Sequence, residues 1–144
     1  MDEQNLHLAS ELRTVIARLT KKMRKKSVWA EKLSLTERST IASINQYGTL
    51  LASELAVIEK ITTQSMSQIL NHLFELGLIT KMPSETDKRK VLISLSAAGQ
   101  ELLFKSRSEK EEWLNKILTE HFTSQERELL SKAIAPLTRL VDFD

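Results

Sequence analysis

The sequence predicts a mainly α fold with a small β-wing, an α+β arrangement in which long helices flank a compact centre. Three observations carry this expectation. Only three glycines and two prolines interrupt 144 residues, so long helices dominate over loops. Apolar residues recur at spacings of three and four along most of the chain, the period of a helix with one face to bury. The exception is ITKMPSETDKRKVLISLSAAG at 79–99, where two β-type runs, Ile79–Met82 and Val91–Leu95, flank a polar, charged loop from Pro83 to Lys90.

The first helix is expected from about Asn5 to Lys26, with Leu8, Leu12, Val15, Ile16, Leu19 and Met23 in one stripe. It ends in Lys21-Lys-Met-Arg-Lys-Lys26, five cations that complement the helix macrodipole as a solvated end and are also suited to phosphate. Leu33-Ser-Leu-Thr-Glu-Arg38 opens a second helix, with Ser34 or Thr36 as N-cap and Leu35, Ile41 and Ile44 as its apolar side. Thr49 and Leu50 suit a very short strand, the third member that a marginally stable hairpin needs. A third helix covers Leu51–Glu59, and Thr62 caps a fourth from Thr63 to about Leu76. On that fourth helix Met66, Ile69, Leu70, Leu73 and Phe74 share one face. Gln64, Ser65, Ser67, Gln68, Asn71 and His72 share the other. Two short helices, the second presenting an uncharged hydrogen-bonding face, make the helix-turn-helix pattern.

Gly77 suits a left-handed C′ position before the hairpin. Beyond it, Ser96 caps a fifth helix to about Glu120, carrying Leu102, Leu103, Trp113, Ile117 and Leu118. Thr123-Ser-Gln-Glu126 is a capping box for a sixth, with Leu129, Leu130, Ala133, Ile134, Leu137 and Leu140 on one side. Pro136 should kink or shorten that last helix. The terminal helices cannot bury their stripes alone, so a symmetric homodimer is expected. The expected division is a helical dimerisation region at 1–35 and 97–144 around a winged helix-turn-helix at 36–96.

Composition narrows the function. Apolar residues at 41% and charged residues at 28% are ordinary for a soluble protein. There is no signal-peptide core, membrane-length apolar run or lipidation motif, so a cytoplasmic protein without a membrane partner is expected. The absence of cysteine excludes disulfides, thiol sensing and Cys-ligated metal. His7, His72 and His121 stand far apart without metal-ligand spacing, and no metal or cofactor is expected. Nothing pairs a nucleophile with a base or cradles a phosphate on glycines, so the chain does not read as an enzyme. Net charge is only +2, and residues 36–96 hold six Lys/Arg against six Asp/Glu. Affinity for nucleic acid must therefore come from a few well-placed contacts. The same balance supports an alternative, a winged-helix protein-interaction module without DNA binding.

The segments Leu55-Ala56, Thr62–Leu70, Leu76–Ile79, Asp87-Lys-Arg89 and Leu95–Gly99, in this order, resemble the MarR family of winged helix-turn-helix transcriptional regulators. The resemblance spans nearly the whole chain, and Asp87-x-Arg89 before the alternating Val91, Ile93 and Leu95 is its most specific part. It implies a regulator, most often a repressor, that binds a pseudo-palindromic operator in double-stranded DNA as a homodimer. Thr63, Gln64, Ser65, Ser67, Gln68, Asn71 and His72 would form the recognition helix in the major groove. Many relatives carry Arg at the positions of Gln68 and His72, so strong guanine readout is not expected there. Arg89 would enter the minor groove, oriented by Asp87, with Lys88 and Lys90 on phosphates. The resemblance further implies a small-molecule effector held between the dimer helices and the winged unit, with Trp29, Ile44, Tyr47 and the fifth helix as its candidate pocket.

Overall fold

Five of the six helix starts among the described residues are set by side-chain caps. Asp2, Ser34, Thr62, Ser96 and Thr123 each accept a backbone N–H from the first turn that follows. Each satisfies one of the donors that a helix start leaves unpaired. The computed structural model describes residues 2–27 and 32–144. The order is α1 (Glu3–Arg24), α2 (Leu35–Tyr47), β1 (Leu50–Leu51), α3 (Ala52–Glu59), α4 (Thr63–Glu75), β2 (Ile79–Pro83), β3 (Val91–Leu95), α5 (Ala97–His121) and α6 (Ser124–Val141). This is the mainly helical, winged arrangement the sequence predicts.

The details differ in four places. Ser34, not Thr36, caps α2, because its hydroxyl and the Glu37 carboxylate complete a reciprocal box. Leu35, expected on the apolar side, is half exposed, and Leu33 just before the cap is buried in its place. The short strand falls on Leu50–Leu51 rather than Thr49–Leu50, although the Thr49 hydroxyl still meets Ser94 Oγ at 2.8 Å. Finally, α6 runs through Pro136 to Val141 instead of stopping short. Proline withdraws one N–H from the Lys132 carbonyl, and at this exposed position water can replace it.

The sheet is antiparallel in the order β1-β3-β2, with Leu50 opposite Ile93 and Lys81 opposite Ile93 on the other side. Ile93 thus sits at the centre of the three strands and is buried. The core beneath it joins Ile41 and Ile44 of α2, Leu55 of α3, and Met66, Leu70 and Leu73 of α4. α4 ends in a Schellman turn: Gly77 takes φ +77°, Leu78 N–H bonds Leu73 O at 3.0 Å and Gly77 N–H bonds Phe74 O at 2.9 Å. The turn aims β2 back along the helix. Gly99 locks the other end of the wing, because a Cβ there would lie 2.0 Å from the Leu78 carbonyl oxygen. Among the described residues, no helix is long and apolar enough to cross a membrane.

Candidate nucleic-acid interface

α4 buries Met66, Leu70 and Leu73 and leaves Thr63, Gln64, Ser65, Ser67 and Gln68 exposed. The apolar spacing therefore orients the polar face outward with no need for charge. Thr62 Oγ1 accepts Ser65 N–H at 3.1 Å and also donates to Ser65 Oγ at 3.0 Å, fixing the first turn. Ser67 and Asn71 line a groove with Lys81, Val91 and Ile93 of the wing and Ala52 of α3. A neighbouring groove joins Ala52 and Val91 to Ser53, Arg89 and Lys90. Ala52 and Val91 are common to both, so the α4 polar face and the base of the wing share one side of the molecule.

The wing tip is a closed loop. Ser84 N–H bonds Lys90 O and Lys90 N–H bonds Asp87 O, both at 2.9 Å. Asp87 Oδ1 accepts Arg89 N–H at 3.1 Å and Arg89 Nε–H at 3.2 Å, and Oδ2 faces the guanidinium Nη2 at 3.5 Å. The Arg89 side-chain hydrogen bond, then its backbone N–H, hold the Asp87 carboxyl below the usual aspartate range. Arg89 remains 92% exposed while Asp87 is 30% exposed. The carboxylate thus steers the guanidinium without covering it, and Lys88 and Lys90 are exposed beside it. Such an ion pair contributes little stability on its own.

Two expected recognition residues are tied into the fold. Asn71 Oδ1 accepts from Lys81 Nζ at 2.8 Å, and the same ammonium stands 5.0 Å over the Phe74 ring. Phe74 is half exposed under that cation rather than buried with its apolar neighbours. His72 Nδ1 contacts Glu37 Oε2, joining α4 to the first turn of α2. The sequence shows Glu37 as half of a capping box. Its second carboxylate oxygen meets a partner 35 residues away, a contact with no local signal.

Two of the three named candidate effector residues, Ile44 and Tyr47, fall within the described residues and lie in different surroundings. Ile44 is in the core and Tyr47 is exposed, whereas Trp29 lies outside the described residues. A cavity of about 190 Å³ does open between α2 and α5, floored by Leu33, Ile41, Ala42 and Leu102 and rimmed by Arg38, Arg107 and Lys110. Burial, then the charges of Arg38, Arg24 and Arg107, push the Lys110 ammonium below the usual lysine range.

Residues 33–91 match the model of the MarR family. An HTH-type transcriptional regulator of Mycobacterium bovis, itself uncharacterised, is 29% identical over 142 residues, spanning 99% of this chain and 98% of the relative. Among solved structures, a transcriptional regulator protein assigned in Pseudomonas aeruginosa has a TM-score of 0.89 at 29% identity, over 99% of this chain and 100% of that one. A variant of MepR from S. aureus, bound to an oligodeoxyribonucleotide, has a TM-score of 0.71 at 20% identity, over 94% and 96%. At that identity the likeness concerns the fold alone. The matched segment 33–91 spans the helix-turn-helix and the Asp87–Arg89 tip, and the relatives that match from end to end are transcriptional regulators: the chain carries a MarR-family winged helix-turn-helix.

Proposed function

We propose that this chain binds double-stranded DNA as a homodimer and represses transcription in the cytoplasm from a pseudo-palindromic operator. One α4 enters the major groove of each half-site, about one helical turn apart, and each wing reaches the adjacent minor groove through Arg89. The observation that carries this reading is the shared face of α4 and the wing, where Ser67, Asn71, Arg89 and Lys90 surround Ala52 and Val91. The proposed division is a DNA-binding unit at 36–96 and a dimerisation region at 1–35 and 97–144. The apolar stripes of α1 and α6, with no buried residue in either helix, support it. A small-molecule effector in the α2–α5 cavity would act by binding one spacing of the recognition helices more tightly than another.

Fluorescence binding to the DNA upstream of the coding region, titrated with salt, tests the reading. The expected result is a steep loss of affinity with salt and protection of an inverted repeat. Equal affinity for random DNA would overturn it. Arg89→Ala should weaken binding and reduce the salt slope by about 1.8, the loss of one phosphate-equivalent contact from each of the two wings, with the dimer unchanged. The protein-interaction alternative rests on the equal count of six cations and six acids in 36–96. It predicts no DNA affinity even at low salt.

A further inference from the structure

α4 contains no lysine or arginine, and His72 is its one titratable base. That ring is held from behind. Glu37 Oε1 accepts Ser34 N–H at 2.9 Å, and Ser34 Oγ accepts Glu37 N–H at 3.1 Å. The carboxylate is thereby fixed on the first turn of α2 with Oε2 against His72 Nδ1. Burial pushes the Glu37 carboxyl up, but the Ser34 N–H, the His72 ring and the Ser34 hydroxyl together hold it below the usual glutamate range. At neutral pH it is ionised, and an ionised carboxylate only accepts hydrogen bonds. Nδ1 must then carry the hydrogen, so the neutral ring turns the bare Nε2 lone pair outward. The His72 side chain is 46% exposed, whereas Glu37 on its Nδ1 side is 10% exposed.

A lone pair cannot bond a phosphate oxygen, since both are acceptors. Protonation converts Nε2 into a donor and gives α4 its single positive charge, with Glu37 as the counter-charge. Four other charged groups lie on the elements around it. Lys81 of β2 is on Asn71 at 2.8 Å, and Glu59 of α3 accepts from Ser39 and Ser43, both at 2.7 Å. Arg38 of α2 lines the α5 cavity, and Glu75 lies at the end of α4.

We propose that Glu37, set behind the recognition helix, is a positioning residue for DNA binding: it orients His72 so that this ring contacts phosphate only with a proton taken up at Nε2. The proposal rests on the DNA-binding reading above. The test is fluorescence anisotropy with the upstream duplex at about pH 6 and about pH 8, each across a salt series. Binding by the dimer should be about a hundredfold tighter at the lower pH, the scale of one charge-assisted hydrogen bond, about tenfold, in each of its two subunits. Its salt slope should be steeper by about 1.8, one added phosphate contact per subunit. His72→Gln should remove the pH difference. Glu37→Gln keeps an acceptor for the capping box and should shrink the difference to less than about threefold, since the counter-charge is gone. Equal affinity and slope at the two pH values, or a full pH response in Glu37→Gln, would overturn the proposal while leaving DNA binding intact. Nitrogen NMR of the free protein at about pH 8 gives a reading without DNA. The Nδ1–H tautomer of His72 supports the proposal, and the Nε2–H tautomer sinks it. Absence of DNA binding at both pH values would overturn the DNA-binding reading and the inference together.

Discussion

The recognition helix α4 and the terminal helices α1 and α6 are striped alike in sequence, yet they end in opposite states. In the winged unit, Leu55, Met66 and Leu73 are fully buried, and α2, α3, α4 and the sheet close over them. In α1 and α6 no residue is buried, and Val15, Ile16, Leu130 and Ile134 stand in the open. α5 bridges the two, packing Gly99 and Leu102 at its start and leaving Phe104 exposed two residues on. Periodicity therefore says that a helix has a face to bury and is silent on what buries it. In the winged unit the partner is the same chain. For the terminal helices the proposed partner is a second copy, since contiguous apolar surface of this extent marks an interaction site.

The sharpest way to break this contrast is a charge in the exposed stripe. Ile134→Glu should abolish the dimer by light scattering and reduce operator affinity by at least about a hundredfold, because the two half-sites are no longer bound as a linked pair. The winged unit should keep its fold. A dimeric Ile134→Glu with unchanged affinity would place the subunit contact elsewhere. The converse substitution acts inside the closed region. Gly99→Ala introduces a Cβ 2.0 Å from the Leu78 carbonyl oxygen, and the obstacle is backbone rather than a flexible side chain. Chemical denaturation should show a loss of about 1–3 kcal/mol, the usual scale of overpacking. An unaltered midpoint would mean that the first turn of α5 shifts freely.

Much of this fold is legible in the sequence because its signals are local. The caps at Ser34, Thr62, Ser96 and Thr123, the C′ glycine at Gly77 and the period-two run from Val91 to Leu95 each act within a few residues. The turn between α3 and α4 is less legible. Lys60 ends α3 in the left-handed region at φ 56°, a conformation that side chains other than glycine rarely mark in advance. The site divides along the same line. Asp87 and Arg89 are two residues apart and can be read as a pair. Glu37 with His72, and Lys81 with Asn71, meet only after the chain has folded. Even Ile44, sound as an apolar helix position, was open to both a pocket wall and a core role until packing closed around it.

The smallest effects sharpen the comparison, because both regions contain the same capping motif in different surroundings. Thr123 and Glu126 exchange hydrogen bonds at 3.0 and 3.1 Å at the exposed start of α6. Ser34 and Glu37 do so at 2.9 and 3.1 Å against the core. Thr123→Ala should cost about 1 kcal/mol or less, and Ser34→Ala should lie toward the upper end of about 0.5–2 kcal/mol. The difference arises because removing the Ser34 hydroxyl also releases a carboxylate that holds His72. Acid should distinguish the two caps further. The folded Glu37 carboxyl titrates below its ordinary value of 4.5. Its ionised form therefore adds stability that is fully present above the unfolded value and is lost as pH falls through the folded one. The gap in unfolding free energy between the native chain and Glu37→Gln should close as pH falls below about 4.5. A gap that persisted in acid would assign the role of Glu37 to shape rather than charge, and would make the two capping boxes equivalent.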